Sequence, residues 1–264
     1  IPPYDAAGWT LAYTMGVKFD RIMENIEAPL TRIPDGEVQP LQGKSVAKAG
    51  KSGFILSASN NHSFIAVNEL LKMGADVYRI NSEIKDAPVG SFFVPANSNV
   101  NSWMLKNAST LGADLIAADM KPSSDGMTKI NKSRIALWDT YGGSMASGWM
   151  RWIMEQFHFD ATVIYASDID KADLKSKYDI ILFVEGAMPP LPNGTANPRT
   201  STVGPKPEDT PEEFKKTIGN ISTAKSIPAI KAFLEAGGKV LTIGSSTSLA
   251  YHLNIPVRNA LTEM

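Results

Sequence analysis

The residues best suited to chemistry lie in the stretch 239–253, KVLTIGSSTSLAYHL. An apolar run rich in β-branched residues (Val240, Leu241, Ile243, with Val and Ile branched) enters a tight corner, Gly244-Ser245-Ser246, and a helical pattern follows. In enzymes built on a parallel α/β sheet, such a strand-to-helix corner thrusts one side chain out at the sheet's C-terminal edge, where a nucleophile can act. Only Ser245 or Ser246 could serve here, because the chain has no cysteine. A serine nucleophile needs a base that is itself held by an acid. His252 follows closely on the same expected helix, and little chain remains after it to supply the acid. The simpler expectation is structural: small residues let helix and sheet approach, with Ser246 capping the helix.

A second corner, Tyr141-Gly142-Gly143-Ser144, also follows an apolar strand. A glycine turn that opens a helix can offer backbone N–H groups to an anion. The turn lacks the full G-x-G-x-x-G spacing and a P-loop lysine, so the expected role is a helix start capped by Ser144. Asp139, Tyr141, Ser144, Glu185, Ser245 and Ser246 are expected to gather at one sheet edge, where α/β folds bind ligands. That makes a binding crevice, not a catalytic centre. None of His62, His158 and His252 has the His-x-x-Glu or His-x-x-x-His spacing that brings two ligands to one metal, so no metal site is expected.

The elements that would position these residues alternate regularly over 134–253. Strands are predicted at 134–139, 161–165, 178–184 and 239–243, and helices at 145–157, 211–218 and 228–236. Met145, Trp149, Trp152, Ile153 and Phe157 form a helical apolar stripe, expected to face the core. Thr210-Pro211-Glu212-Glu213 reads as a capping box, and Ala236-Gly237-Gly238 as a helix stop. The pattern predicts a doubly wound parallel sheet, flavodoxin-like in style. The proline- and glycine-rich stretch 187–207 is too long for a simple connection.

Residues 53–119 repeat at an offset of 38: Phe54-Ile55-Leu56-Ser57-Ala58 matches Phe92-Phe93-Val94-Pro95-Ala96, and Gly74-Ala75-Asp76-Val77 matches Gly112-Ala113-Asp114-Leu115. Each copy reads strand, helix, glycine stop, strand, and two copies give the βαββαβ order of a split-βαβ domain. The alternative is that these strands extend the following sheet. Ahead of the repeat, Asp5 could cap a short helix carrying Trp9, Leu11 and Met15 and stopped by Gly16. Pro29, Pro34, Gly36, Pro40 and Gly43 then preclude long regular structure. The expected organisation is a lead-in over 1–45, an α+β repeat domain over 46–128 and an α/β domain over 129–264.

The 264 residues carry a net charge of −1, with lysine and arginine scattered, which argues against a nucleic-acid partner. No apolar run approaches the ~20 residues that span a bilayer, so no membrane partner is expected either. A start at Ile1 and an end at Thr262-Glu263-Met264 suggest a piece of something longer.

The strings PYDAAGWTLAYTMGV, NHSFIAVNELLKMGADVYRI, RIALWDTYGGSMASGWMRWIMEQF and YDIILFVEGAMP resemble the region downstream of the catalytic domain in large bacterial zinc carboxypeptidases of the carboxypeptidase A-like superfamily. The resemblance covers nearly the whole chain. It is most specific over 134–188, where Trp138, Asp139, Tyr141, the Gly-Gly-Ser turn and Trp149 recur in order. It implies that residues 129–264 form a class I glutamine-amidotransferase-like domain without the catalytic cysteine. It also implies an exported parent that cleaves C-terminal residues from peptides. No stretch here matches the family's zinc motif, so zinc is expected in the parent's N-terminal catalytic domain and no cofactor in this chain. The leading expectation is therefore a non-catalytic accessory region whose partner is that catalytic domain. Two alternatives stand beside it: a serine-dependent amidase or hydrolase at Ser245 or Ser246, and a small-ligand or carbohydrate-binding module helped by Trp138 or Tyr141.

Overall fold

The computed structural model describes residues 12, 18–32, 34, 42–84, 87–171, 173–191 and 205–258. The chain divides into two compact units, 1–40 and 41–264. In the first, residues 18–32 form neither helix nor strand and leave Ile22, Met23, Ile26 and Leu30 exposed. The helix expected around Asp5, Trp9, Leu11, Met15 and Gly16 lies outside the described residues, as do Gly36, Pro40 and Thr262-Glu263-Met264.

The second unit is a mixed α/β structure with two separate sheets and flanking helices. Its first half contains β1 (Gly53–Leu56), α1 (His62–Lys72), β2 (Val77–Ile80), β3 (Phe92–Pro95), α2 (Ser98–Asn107), β4 (Leu115–Ala118) and β5 (Met127–Ile130). The sheet order is β4-β1-β3-β2-β5, and all pairs are antiparallel. Strands β1 and β2 thus run parallel with β3 inserted between them, as a split-βαβ arrangement requires. The repeat accounts for this layer, which is a sheet of its own and not an extension of the next. Strand β5 has no counterpart in the repeat and extends the sheet beyond β2 to Ile130. The end of the expected lead-in also joins this layer, since Leu115 N–H donates to the Lys44 carbonyl and Lys44 N–H to Asp114 Oδ1.

The repeated Gly-Ala-Asp has a specific task. After α1, Gly74 (φ +75°) lets its N–H reach the Leu71 carbonyl while Ala75 N–H bonds to Leu70. After α2, Gly112 (φ +83°) and Ala113 repeat the pattern toward Ser109 and Ala108. Both are left-handed terminations that satisfy otherwise orphaned carbonyls. Phe54, Leu56, Phe92 and Val94 face the two helices in one core, while Ile55, Ile80 and Phe93 pack on the opposite face.

The second half contains β6 (Ile135–Trp138), α3 (Met145–Gln156), β7 (Ala161–Ile164), α4 (Ala166–Ile169), α5 (Leu174–Lys177), β8 (Ile180–Phe183), α6 (Ser226–Glu235), β9 (Lys239–Thr242) and α7 (Leu249–His252). All four strands are parallel, in the order β7-β6-β8-β9. The near-continuous apolar runs of β6 and β8 suit strands covered on both faces. Arg134 locks the start of the sheet: its guanidinium forks onto Asp179 at 3.0 and 2.8 Å, and its backbone N–H adds a third bond. These hydrogen bonds from Arg134, with a further one from Lys175, hold the Asp179 carboxyl well below the usual carboxylate range.

Two expectations fail here. The stripe on α3 does not face the core: Met145, Trp149, Trp152 and Ile153 are 82, 61, 52 and 43% exposed. The helix instead docks through Ser147 and Met154, with the Ser147 hydroxyl donating to the Trp138 carbonyl. Small residues allow that close approach and turn the bulky ones outward. The expected 211–218 helix is a 3-10 segment, Glu212–Thr217, and its capping box does not form. The Thr210 hydroxyl donates backward to the Lys206 carbonyl and so is not spent on the helix N–H groups.

Candidate functional site

The parallel order puts the ends of β6, β8 and β9 side by side, so Asp139, Glu185 and Ser245 do reach the same C-terminal edge. Among the described residues, each hydrogen bond that these side chains make serves the backbone. Asp139 Oδ1 accepts from Thr140 N–H and Ser144 N–H, both at 2.8 Å, shaping the turn that carries Gly142 and Gly143. Ser144 Oγ accepts from Ser147 N–H at 3.0 Å and caps α3 as expected. The Tyr141 ring meets Phe214 edge-on, 6.4 Å between centroids. Among the described residues, no hydrogen bond joins Asp139, Tyr141 or Glu185 to either serine.

The corner after β9 has the predicted strand–glycine–serine form, and Gly244 takes φ +61°. A Cβ there would lie 3.2 Å from the Glu185 Cβ. Ser245 is exposed and accepts from Gly186 N–H at 2.9 Å. Ser246 is completely buried, accepting from Ala187 N–H at 3.0 Å and donating to the Val184 carbonyl. The two serines thus tie the loop leaving β8 to the corner leaving β9. Ser246 is not the expected helix cap: the corner continues as a 3-10 segment, Gly244–Ser248, with no side-chain cap. His252 Nε2 sits 2.9 Å from the Pro189 carbonyl, so that nitrogen carries the proton and cannot act as a base toward a serine. Trp138 is only 4% exposed and offers no sugar platform, although its indole N–H lacks a partner among the described residues.

The other histidines are spread apart: His62 lies over Gly112, and His158 Nδ1 is 2.8 Å from Glu69 Oε1. Among the described residues, no group of three histidine, aspartate or glutamate side chains is placed to hold a metal ion, so these residues do not fit a zinc site. No described helix is long and apolar enough to cross a membrane.

A cleft of about 540 Å³ opens at the opposite, N-terminal edge of the parallel sheet, where sequence reasoning put nothing. Phe64 and Leu71 of α1, Phe92 of β3 and Ile130 of β5 form one wall, with Phe159 and Ile180 across from them. The loop after α3 closes one end. Its His158 adopts φ +58°, a conformation costly for a residue with a Cβ, and Asn68 Nδ2 donates to the Phe157 carbonyl at 2.8 Å. Asp160 accepts from Lys132 at 2.7 Å and Lys72 at 3.2 Å. The hydrogen bond from Lys132, and then that from Lys72, hold the Asp160 carboxyl below its ordinary value against partial burial. These residues come from segments far apart in the chain, so no local motif could have pointed to them.

Compared with protein-family models, with curated proteins and with solved structures, the chain matches none.

Proposed function

We propose that this chain is a non-catalytic accessory region of an exported zinc carboxypeptidase, with a flavodoxin-like, glutamine-amidotransferase-like second half. The link to carboxypeptidases rests on the sequence resemblance. The non-catalytic reading rests on one observation: the buried hydroxyl and the carboxylate best placed for chemistry, Ser246 and Asp139, are spent on backbone groups. The strand order in the second half, with its second strand outside the first and the third and fourth beyond, agrees with a flavodoxin-style sheet. The partner is the parent's own metallopeptidase domain, which would carry the zinc. The exposed Met145–Trp149–Trp152 face of α3 is the surface such a contact would use.

The test combines activity with association. The isolated chain should neither hydrolyse peptides nor hold one zinc per molecule in equilibrium dialysis. A separately produced metallopeptidase domain of the carboxypeptidase should co-elute with it, and the Trp149→Ser, Trp152→Ser double variant should lose that association. Turnover, or one tightly held zinc, overturns the proposal. A fluorophosphonate label that vanishes in Ser245→Ala or Ser246→Ala would instead establish a serine hydrolase.

A further inference from the structure

We infer that the cleft between the two sheets is a binding site for a small organic carboxylate with a flat apolar body. The inference does not depend on the accessory role, since it concerns a different edge of the molecule and different residues.

The apolar half of the argument comes from what the walls leave open. Phe64 and Phe159 remain 38 and 37% exposed, and Val89 at the rim is 57% exposed. Phe64 meets Phe92 edge-on at 5.4 Å between centroids, so one aromatic wall is already fixed before anything enters. The volume, about 540 Å³, falls within the roughly 300–1,000 Å³ of small-molecule sites. Uncovered aromatic surface in a preformed concavity gains free energy when a flat apolar group displaces water from it.

Charge on the rim selects the other half of the ligand. Among the described residues, Lys72, Arg79 and Lys132 line the cleft with one carboxylate, that of Asp160. Both lysines are engaged there, and Lys72 also reaches Glu69 at 3.3 Å. Even with Glu69 included, which is shared with His158, cations outnumber carboxylates among the described residues. Arg79 is different. It lies opposite Phe92 in the β2–β3 register, so it emerges on the helix face beside the aromatic wall. Its guanidinium rests over Gly90, where an added Cβ would be 3.4 Å from Nη2, and among the described residues it has no hydrogen-bond or ion-pair partner. Such a guanidinium next to an open aromatic wall suits a planar carboxylate, which it can hold through two parallel hydrogen bonds. A cation would meet the surplus positive charge, and a purely apolar ligand would leave the guanidinium unused.

The test uses the whole chain and two isosteric probes, 2-naphthylacetate and its uncharged amide, in titration calorimetry. The carboxylate should bind one per chain, about tenfold or more tighter than the amide, the factor expected of a charge-assisted hydrogen bond. Arg79→Gln should erase that preference while leaving the amide's affinity as it was, and Arg79→Lys should retain only part of it. Val89→Trp, at an exposed rim position, should block both probes. Arg79→Gln changes only a surface side chain, so it remains decisive if the tryptophan variant folds poorly. No binding of either probe overturns the inference, as does equal affinity for both or a carboxylate preference that survives Arg79→Gln. Binding that is lost in Trp149→Ser instead would assign the site to α3, and also overturns it.

Discussion

Replacing Ser246 with alanine tests the architecture of the corner most directly. The hydroxyl is fully buried and connects two loops, accepting from Ala187 N–H and donating to the Val184 carbonyl. Val184 and Ala187 are themselves 2 and 5% exposed, so water has no easy route to either group. Alanine leaves one donor and one acceptor unpaired, each costing about 1–3 kcal/mol. Allowing for some relaxation, the expected loss is about 2–4 kcal/mol, more than the roughly 0.5–2 kcal/mol of a lost helix cap. With an m value of about 3 kcal/mol/M, the urea midpoint should fall by about 1 M. Ser245→Ala is the internal control. That serine accepts from Gly186 N–H at an exposed position where water can take over, so its loss should stay under about 1 kcal/mol. Urea titrations followed by far-ultraviolet circular dichroism would measure all three proteins. Equal, small losses at both serines would refute the reasoning, because the corner would then not bridge the strand ends as described.

Gly244→Val should destabilise by roughly 2–4 kcal/mol and Gly244→Ala by about 1–2, from the left-handed backbone and the approach to Glu185; denaturant midpoints would measure both. Asp179→Asn should destabilise the protein at pH 7. Because the folded Asp179 carboxyl lies well below its ordinary value, its contribution is complete above about pH 4 and is lost as pH falls further. The gap between wild type and variant should therefore narrow progressively below about pH 4 in acid-unfolding titrations, and a constant gap would contradict the Arg134 fork. The Trp149→Ser, Trp152→Ser double variant should cost no more than about 1 kcal/mol by urea titration, since both rings are exposed and lose chiefly their mutual edge-on contact. A loss near the roughly 3–5 kcal/mol of a buried aromatic would mean the stripe is core after all.

Much of the local structure was written in the residues themselves. The offset-38 repeat specified two strand–helix–strand units down to their glycine stops, because a left-handed helix termination is decided within a few residues. The four parallel strands and the Ser144 cap followed for the same reason, since period and capping chemistry act over one element. The gathering of Asp139, Glu185 and Ser245 at one edge was also legible, as parallel strands joined by crossovers must end on the same side.

What each apolar face packs against was not legible. The α3 stripe has the periodicity of a buried face, yet Ser147 and Met154 dock the helix and the tryptophans turn outward. Hydrophobic period marks which side of a helix is apolar, while covering it depends on neighbours far along the chain. Strand β5 and the role of Ser246 were hidden likewise: one needed the free edge of β2, the other the loop leaving β8. The cleft depended most on tertiary structure. Arg79, Lys132 and Asp160 come together only because the linker after β5 lays the N-terminal edge of one sheet beside the helix face of the other. Local pattern decides what an element is, and packing between elements decides which of its side chains are left for a ligand.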